Sequence, residues 1–498
     1  MVIKRSDSVF ASISGERYTP FALAKKLGAL AILESASFTH GRDRYSIILA
    51  REAFRIRQGA DGVFFTVDGE DIRFTGGDIL DAEAAVASQN ALPPDGIPLP
   101  GAGVGFLGYE FCQRCDKIAL LAQDDSIEIP ESEFIVGHVY LVFDHFTDVI
   151  HIFGLNYEQH EIDLEEAVAE IKRRLGDLDF SYLAPPDEPA PCAVVSDEKA
   201  SHANFVAGVR AIKEHIVAGN LLQCVMSRRL TLDSPEPALE VYRRLRSKSP
   251  SPYLFYLDFG NYQIIGASPE SLVRVRDSVA SIRPIAGTRR RGKNTAEDMA
   301  LEKELLADPK ERAEHLMLVD LARNDLGRVC VPGSVRLTRN MTVEMFSHVM
   351  HIVSDVVAEA GSKTRGIDVL RAAFPAGTVS GAPKIRAIEI LSSLEKERRT
   401  FYAGAVGYVE PDGDLDFCIA IRCALKQGNR WTLQAGAGIV NASDPEREWE
   451  ETNEKLAAMR SVLDGRAAKA AEATYADVTT ADAKTAEPAL AGLKGEAQ

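Results

Sequence analysis

The chain has 498 residues, 46% hydrophobic and 26% charged, a composition that excludes intrinsic disorder over most of its length and allows about three domains' worth of core. Its 73 acidic residues against 57 basic ones leave a formal charge of −16, which disfavours a broad phosphate-binding surface and so a nucleic-acid role. Seven sparse cysteines suit a reducing compartment, no apolar window is long enough to span a membrane, and the N-terminus lacks a signal-peptide core, so the expected location is the cytoplasm.

In chain order, residues 1–183 are read as one unit. Strands are predicted at Ser46–Leu49, Gly62–Val67, Gly101–Phe106, Val136–Asp144 and Val149–Phe153, the last two forming a hairpin across His145–Asp148. A helix over Glu161–Leu175 carries acidic residues first and Lys172, Arg173 and Arg174 last, as the helix dipole favours. Cys112 and Cys115 form a lone C-x-x-C, read as structural because no second pair follows. Ala184 to Pro191 holds four prolines in eight residues and marks a boundary.

The second unit, 196–463, opens with a helix over Ser201–Ala218. Strands follow at Gln223–Ser227, Tyr253–Phe259, Tyr262–Gly266 and Leu272–Val275, then helices near 295–307, 309–322 and 384–395. A meander closes the unit: Ala405–Val409, Leu415–Cys423 and Trp431–Ile439, with turns at Pro411–Gly413 and Gln427–Asn429, before a helix from Glu446 to Leu463. Strand runs followed by helices predict an α+β fold. Residues 464–498 are expected to be a disordered tail, since 12 of the 34 residues from Gly465 onward are alanine.

Two helices carry paired carboxylates. Glu311 and Glu314 lie three apart on a helix that Asp308 can cap and Pro309 can begin. Glu448 and Glu451 lie three apart on the last helix, with Lys455 one turn beyond Glu451. Together they could hold one hard cation such as Mg2+, the competing reading being two solvated helix faces. Gly436 and Gly438 precede that helix and would let main-chain amides approach a carboxylate, or serve only tight sheet packing. Arg422 sits in an apolar run and needs either an internal carboxylate or an anionic ligand. Phe374–Arg386 supplies hydroxyls and Lys384 near a helix start, suiting an anion or a plain structural turn. Glu270, after Ser268 and Pro269, is placed as a held acid, and His351 as a core hydrogen-bonder or a functional base.

Several separated motifs occur in one order: Gln223-Cys-Val-Met-Ser-Arg228, Gly266-Ala-Ser-Pro-Glu270, Pro284-Ile-Ala-Gly-Thr-Arg289, Glu314 through Asp325, His348-Val-Met-His351, Pro375 through Lys384, Gly404-Ala-Val-Gly-Tyr408, Ala435-Gly-Ala-Gly-Ile439 and Glu448-Trp-Glu-Glu-Thr452. In them the chain resembles the chorismate-utilising enzymes. The resemblance implies an α/β/β/α sandwich on large antiparallel sheets, residues 1–183 being an N-terminal regulatory domain and 196–463 the catalytic domain. Gln223 stands where the water-using members carry a lysine base, and Ala286 stands where the aminodeoxychorismate-forming members often carry a nucleophilic lysine. Both positions, and the Pro375–Gly381 form, point to the ammonia-using, anthranilate-forming branch, with 2-amino-2-deoxyisochorismate or 4-amino-4-deoxychorismate formation as the alternative.

By the same resemblance, Mg2+ is expected on Glu314 and Glu451, with Glu311 and Glu448 acting through waters. Thr288, Thr378, Tyr402, Arg422, Gly436, Ala437, Gly438 and Lys455 are expected to bind substrate, Glu270 to be the general acid, and His351 to serve the elimination and aromatisation step. Glu34, Ser35, Pro252 and Tyr253 resemble a tryptophan feedback pocket, with Leu254 and residues 38–43 departing from the usual pattern. No glutaminase region is recognised, so a separate glutamine amidotransferase subunit in a two-plus-two heterotetramer is expected to supply ammonia.

Overall fold

The computed structural model describes residues 3–35, 44–91, 93, 96–121, 123, 124, 126–177, 179, 190–345 and 349–464. The proline-rich boundary, the alanine-rich tail, residues 38–43 and His348 lie outside them, apart from Ala190, Pro191 and Asp464.

Antiparallel ladders run through both units and join them. Strand Ala31–Glu34 pairs with Tyr253–Asp258, and Val104–Leu107 pairs with Ala405–Val409. The strands obey a two-residue period with apolar residues on both faces. Phe255 and Leu257 enter one core while Leu254 and Tyr256 enter another; Ile47 and Leu49 divide from Ile48 in the same way. The second core is closed by helices Pro20–Leu27, Leu164–Gly176, Ala238–Lys248 and Pro445–Leu463, whose side chains pack on one sheet face. This is the expected α+β sandwich, in which strands buried on both faces read as near-continuous apolar runs.

Most expected elements appear, several longer than expected. Val149–Tyr157 pairs with Ser132–Asp144 as the foreseen hairpin, Gly62–Val67 and Thr295–Ala307 match end to end, and the turns hold Gly413 and Gly428 at positive φ. The edge strand Arg5–Ser14 was not legible because alternating polar residues leave half of it exposed. One difference bears on function. The run Leu415–Cys423 is two strands, Leu415–Ile419 and Cys423–Gln427, broken at a bend where Arg422 takes φ +52°. A left-handed non-glycine residue is strained, and such strain gathers at functional sites.

Candidate active site

Helix Pro309–Gly327 starts as its sequence dictates: Pro309 takes the first turn and the Asp308 side chain accepts from the amides of Lys310 and Glu311. Its inner face buries Leu318, Val319, Ala322 and Leu326, and His315 Nε2 lies 2.7 Å from Ser354 Oγ. That fixes the roll of the helix and leaves Glu311 and Glu314 half-buried on one side of it. Arg289 Nη1 donates to Glu311 at 3.1 Å and Nη2 to Asp308 at 2.9 Å. Glu314 has no hydrogen bond or ion pair among the described residues. Burial, then the charges of Glu311 and Glu451, raise its pKa above the usual carboxylate range, with Lys310 and Lys455 opposing.

The C-terminal helix, Pro445–Leu463, is capped by Asp444, which accepts from Glu446 and Arg447. Lys455 Nζ lies 2.7 Å from Glu451 and donates to Gly436 O at 2.8 Å. Burial likewise raises Glu448, with Ser443 opposing and Glu451 adding to it. Glu314 and Glu451, on helices more than a hundred residues apart in sequence, thus lie within electrostatic range of each other. Among the described residues no three metal-ligating side chains already converge on one point. The donor set nevertheless fits Mg2+, which commonly takes one or two carboxylates and completes its shell with water and substrate oxygens. Half-buried Glu314 has no cation paired with it among the described residues, which leaves its carboxylate available to such an ion.

Strand Gln223–Asp233 pairs with Arg430–Ile439, placing Ser227 opposite Gly436 and Val225 opposite Gly438. A Cβ on Gly436 would stand 2.9 Å from Met226 O and 3.1 Å from Tyr402 Oη; one on Gly438 would stand 2.6 Å from Gln223 Nε2. Both glycines therefore allow close approach by site side chains. Ala437 corrects the expectation in part: its side chain is buried in a core with Met226 and Ile390, so only its main chain can serve the site. Tyr402 is braced by Arg399, whose guanidinium is fully buried, stacks on Tyr109, bonds Glu395 and donates to Val225 O and Val379 O at 2.7 Å each.

Arg422 makes no side-chain hydrogen bond or ion pair among the described residues, which removes the internal-ion-pair alternative. Burial lowers its pKa, while Tyr402, Glu270 and Glu451 pull the other way and so lie within its field. Glu270 is pinned through its backbone, since Ile419 N donates to its carbonyl at 3.1 Å. Desolvation pushes its carboxyl up to about 7, with Thr378, Arg422 and Lys455 tempering the rise. The Thr378 hydroxyl faces Glu270 but makes no well-formed hydrogen bond. A carboxyl that is half protonated near neutrality is suited to acid catalysis.

His351 lies opposite Thr288, where the ladder slips at Gly287. Its Nδ1 is 3.0 Å from Gly287 O and from Thr288 Oγ1. A carbonyl only accepts, so Nδ1 carries the proton and neutral His351 has its lone pair on Nε2. Burial lowers the His351 pKa and the Arg422 charge adds to that, which ties this histidine electrostatically to the same site. Thr288 is correspondingly engaged by His351.

Glu34 and Leu254 are ladder partners, which puts the strand end at Glu34 and Ser35 beside the one at Pro252 and Tyr253. The buried Glu34 carboxylate accepts from Tyr242 at 2.7 Å and Arg246 at 2.9 Å, and Tyr253 donates to Asp416 at 3.0 Å. Lys384 is held by Asp325, 2.8 Å from both oxygens, so the Phe374–Arg386 segment is the structural alternative at that lysine. Burial raises both Cys112 and Cys115 thiols, which fits inert cysteines. Sequence reasoning missed Arg289 and Arg399, which brace the site; Arg399 stands in the charged run Glu395-Lys-Glu-Arg-Arg399, which reads as a solvated surface and gives no signal of burial.

A family model described as chorismate binding enzyme matches residues 48–461. The chain is 53% identical over 455 residues to anthranilate synthase component 1 of Spirochaeta aurantia, covering 91% of this chain and 94% of that one. It is 37% identical over 479 residues to the protein of the same name from Cereibacter sphaeroides, covering 91% and 93%. Among solved structures, anthranilate synthase component I from Streptococcus pneumoniae superposes with a TM-score of 0.75 at 34% identity, covering 90% of this chain and 98% of that one. The menaquinone-specific isochorismate synthase of Escherichia coli, at 19% identity and a TM-score of 0.68 over 93% and 96% of the two chains, shares the fold.

Proposed function

The chain belongs to the chorismate-binding enzyme family, and from that membership we propose that it is a lyase converting chorismate and ammonia into anthranilate and pyruvate, the first committed step of tryptophan synthesis. This reading is supported by the unpaired carboxylate of Glu314 lying within the electrostatic range of Glu451 and Lys455, and by the unpartnered cation Arg422 within range of Glu451 and of the acid Glu270. Arg422, Tyr402, Lys455 and the amides around Gly436 and Gly438 bind and orient the substrate carboxylates. Glu270 gives its proton to the departing C4 hydroxyl as ammonia enters the ring. Gln223 cannot act as a strong base, and an amine that attacks as free ammonia needs none. His351, with its lone pair on Nε2, takes part in the elimination that releases pyruvate. Glu314 and Glu451 would hold Mg2+, with Glu311 and Glu448 supporting through waters; when bound, the ion neutralises and orients the anionic substrate.

The ammonia comes from a separate glutamine amidotransferase subunit in a two-plus-two heterotetramer, a reading supported by the relatives' designation as component 1. A tryptophan feedback site at Glu34, Ser35, Pro252 and Tyr253 is supported by their convergence on one ladder end. A cytoplasmic location is supported by seven free cysteines, and no described helix is long and apolar enough to cross a membrane. The test is incubation with chorismate, Mg2+ and ammonium. Blue anthranilate fluorescence with equimolar pyruvate is expected; a nonaromatic amino product without pyruvate refutes the assignment and indicates an aminodeoxy-chorismate or -isochorismate synthase. Titration with tryptophan tests the feedback pocket, and absence of binding removes it.

A further inference from the structure

Strand Gln223–Asp233 presents successive side chains to opposite faces. Ser227 turns to Glu395, whereas Arg228 turns to the C-terminal helix. There its guanidinium lies 3.8 Å from the centre of the Trp449 ring, Nε donates to Thr452 Oγ1 at 2.7 Å, and Nη2 bonds Asn453 Oδ1. The residue is only 6% exposed, and Nη1 has no hydrogen-bond partner among the described residues. Its hydrogen-bond partners are neutral, and no described carboxylate stands within ion-pair distance. A buried guanidinium with one unsatisfied edge is an expensive arrangement unless something anionic completes it.

That residue borders an open cleft of about 500 Å3 between helix Glu198–Val217 and the C-terminal helix, within the size range of small-molecule sites. Lys199 and Arg460 also line it, and neither side chain has a hydrogen bond or ion pair among the described residues. His202 lines it too but is committed to Glu446 at 2.8 Å. Glu198 is the single acidic lining residue, and Leu230 and Leu456 supply apolar wall. Three cations without a carboxylate partner therefore line a cleft with one carboxylate, in a chain whose net charge is −16.

We infer that this cleft is a second binding site, separate from the chorismate site, for a small oxyanion whose carboxylate or phosphate group is held by Arg228 Nη1, Lys199 and Arg460. Guanidinium groups favour such ligands because their planar donors match paired oxygens. The bound group would satisfy the one open edge of Arg228 and leave its bonds to Thr452 and Asn453 in place.

The two tryptophans make the site readable: Trp431 is fully buried elsewhere, while Trp449 lies under Arg228. Inorganic phosphate and, separately, acetate are titrated into the full-length protein against sodium chloride at matched ionic strength, up to about 50 mM. A saturable change in tryptophan emission with at least one of them is expected, and the stronger arm identifies the preferred group. Phosphate or acetate binding should weaken on the order of tenfold in the Lys199→Gln/Arg460→Gln double variant, whose changes are exposed and leave the melting temperature unchanged. It should persist in Arg422→Gln, which alters only the chorismate site. Trp449→Phe should lose the signal while calorimetry still detects binding. No saturable change beyond the chloride control, equal affinity in the double variant, or loss in Arg422→Gln overturns the inference.

Discussion

Glu270 offers the most direct test of the proposed chemistry. Its carboxyl is pushed up to about 7 by desolvation, against the pull of Thr378, Arg422 and Lys455. The sign is fixed by its role: a general acid works in the protonated form, so activity is present below that pKa and lost as pH rises through it. A pKa near 7 leaves about half the molecules competent at pH 7, about a tenth at pH 8 and about a hundredth at pH 9. A bound cation adds positive charge, so the alkaline limb falls at or below that value. The assay is kcat/KM for chorismate between pH 5.5 and 9 at constant free ammonia and saturating Mg2+, scored by anthranilate fluorescence. Above neutrality the logarithm should fall with a slope near −1. Glu270→Gln should lose roughly 10²–10⁴ in turnover and show no such limb. Arg422→Gln should move the limb to higher pH, because a charge that holds the carboxyl down has gone. A flat wild-type profile from pH 7 to 9, or a limb retained in Glu270→Gln, refutes the assignment of the proton to Glu270.

Three further outcomes are expected. Glu314→Gln and Glu451→Gln should each cut turnover on the order of 10²–10³, whereas Glu311→Gln and Glu448→Gln should weaken Mg2+ activation by roughly 10–100-fold; Mg2+ titration of activity separates the two pairs. Gly438→Ala puts a methyl 2.6 Å from Gln223 Nε2, a clash costing about 1–3 kcal/mol in stability or substrate binding, and Gln223→Ala in the same chain should relieve it as read by melting temperature and KM. Glu83 is fully buried with neither carboxyl oxygen partnered, and burial raises its pKa well above normal, so its contribution to stability is present at low pH and lost as pH rises above about 4.5. Urea unfolding of Glu83→Leu should therefore show a gain over wild type that grows as pH rises above about 4.5, and a pH-independent difference contradicts a neutral buried carboxyl.

The sequence by itself determined the local framework. The helix start at Asp308 was legible because a side-chain oxygen before a proline caps a helix whatever surrounds it, whereas the Asp444 cap emerged only in the structure. Hairpins were legible from apolar runs around glycine turns, and the ordered motifs identified the family. The spacing of Glu311 with Glu314, and of Glu448 with Glu451, put each pair on one helix face, since that depends only on the helical repeat.

Other features were decided only by the tertiary structure. How near the two acidic helices lie is a question of sheet topology, since the ladder beneath Gly436 seats the C-terminal helix and the charges of Glu314 and Glu451 act on each other. The apolar run around Arg422 hides a bend, because strand propensity reads hydrophobicity and not the left-handed backbone that aims the guanidinium toward Glu270. Ala437 keeps only its main chain for the site, because pleat alternation turns its side chain into the core. Long-range burial also made Glu270 a weak acid and left one edge of Arg228 unmatched, since desolvation is set by what packs around a charge and not by its neighbours in the chain.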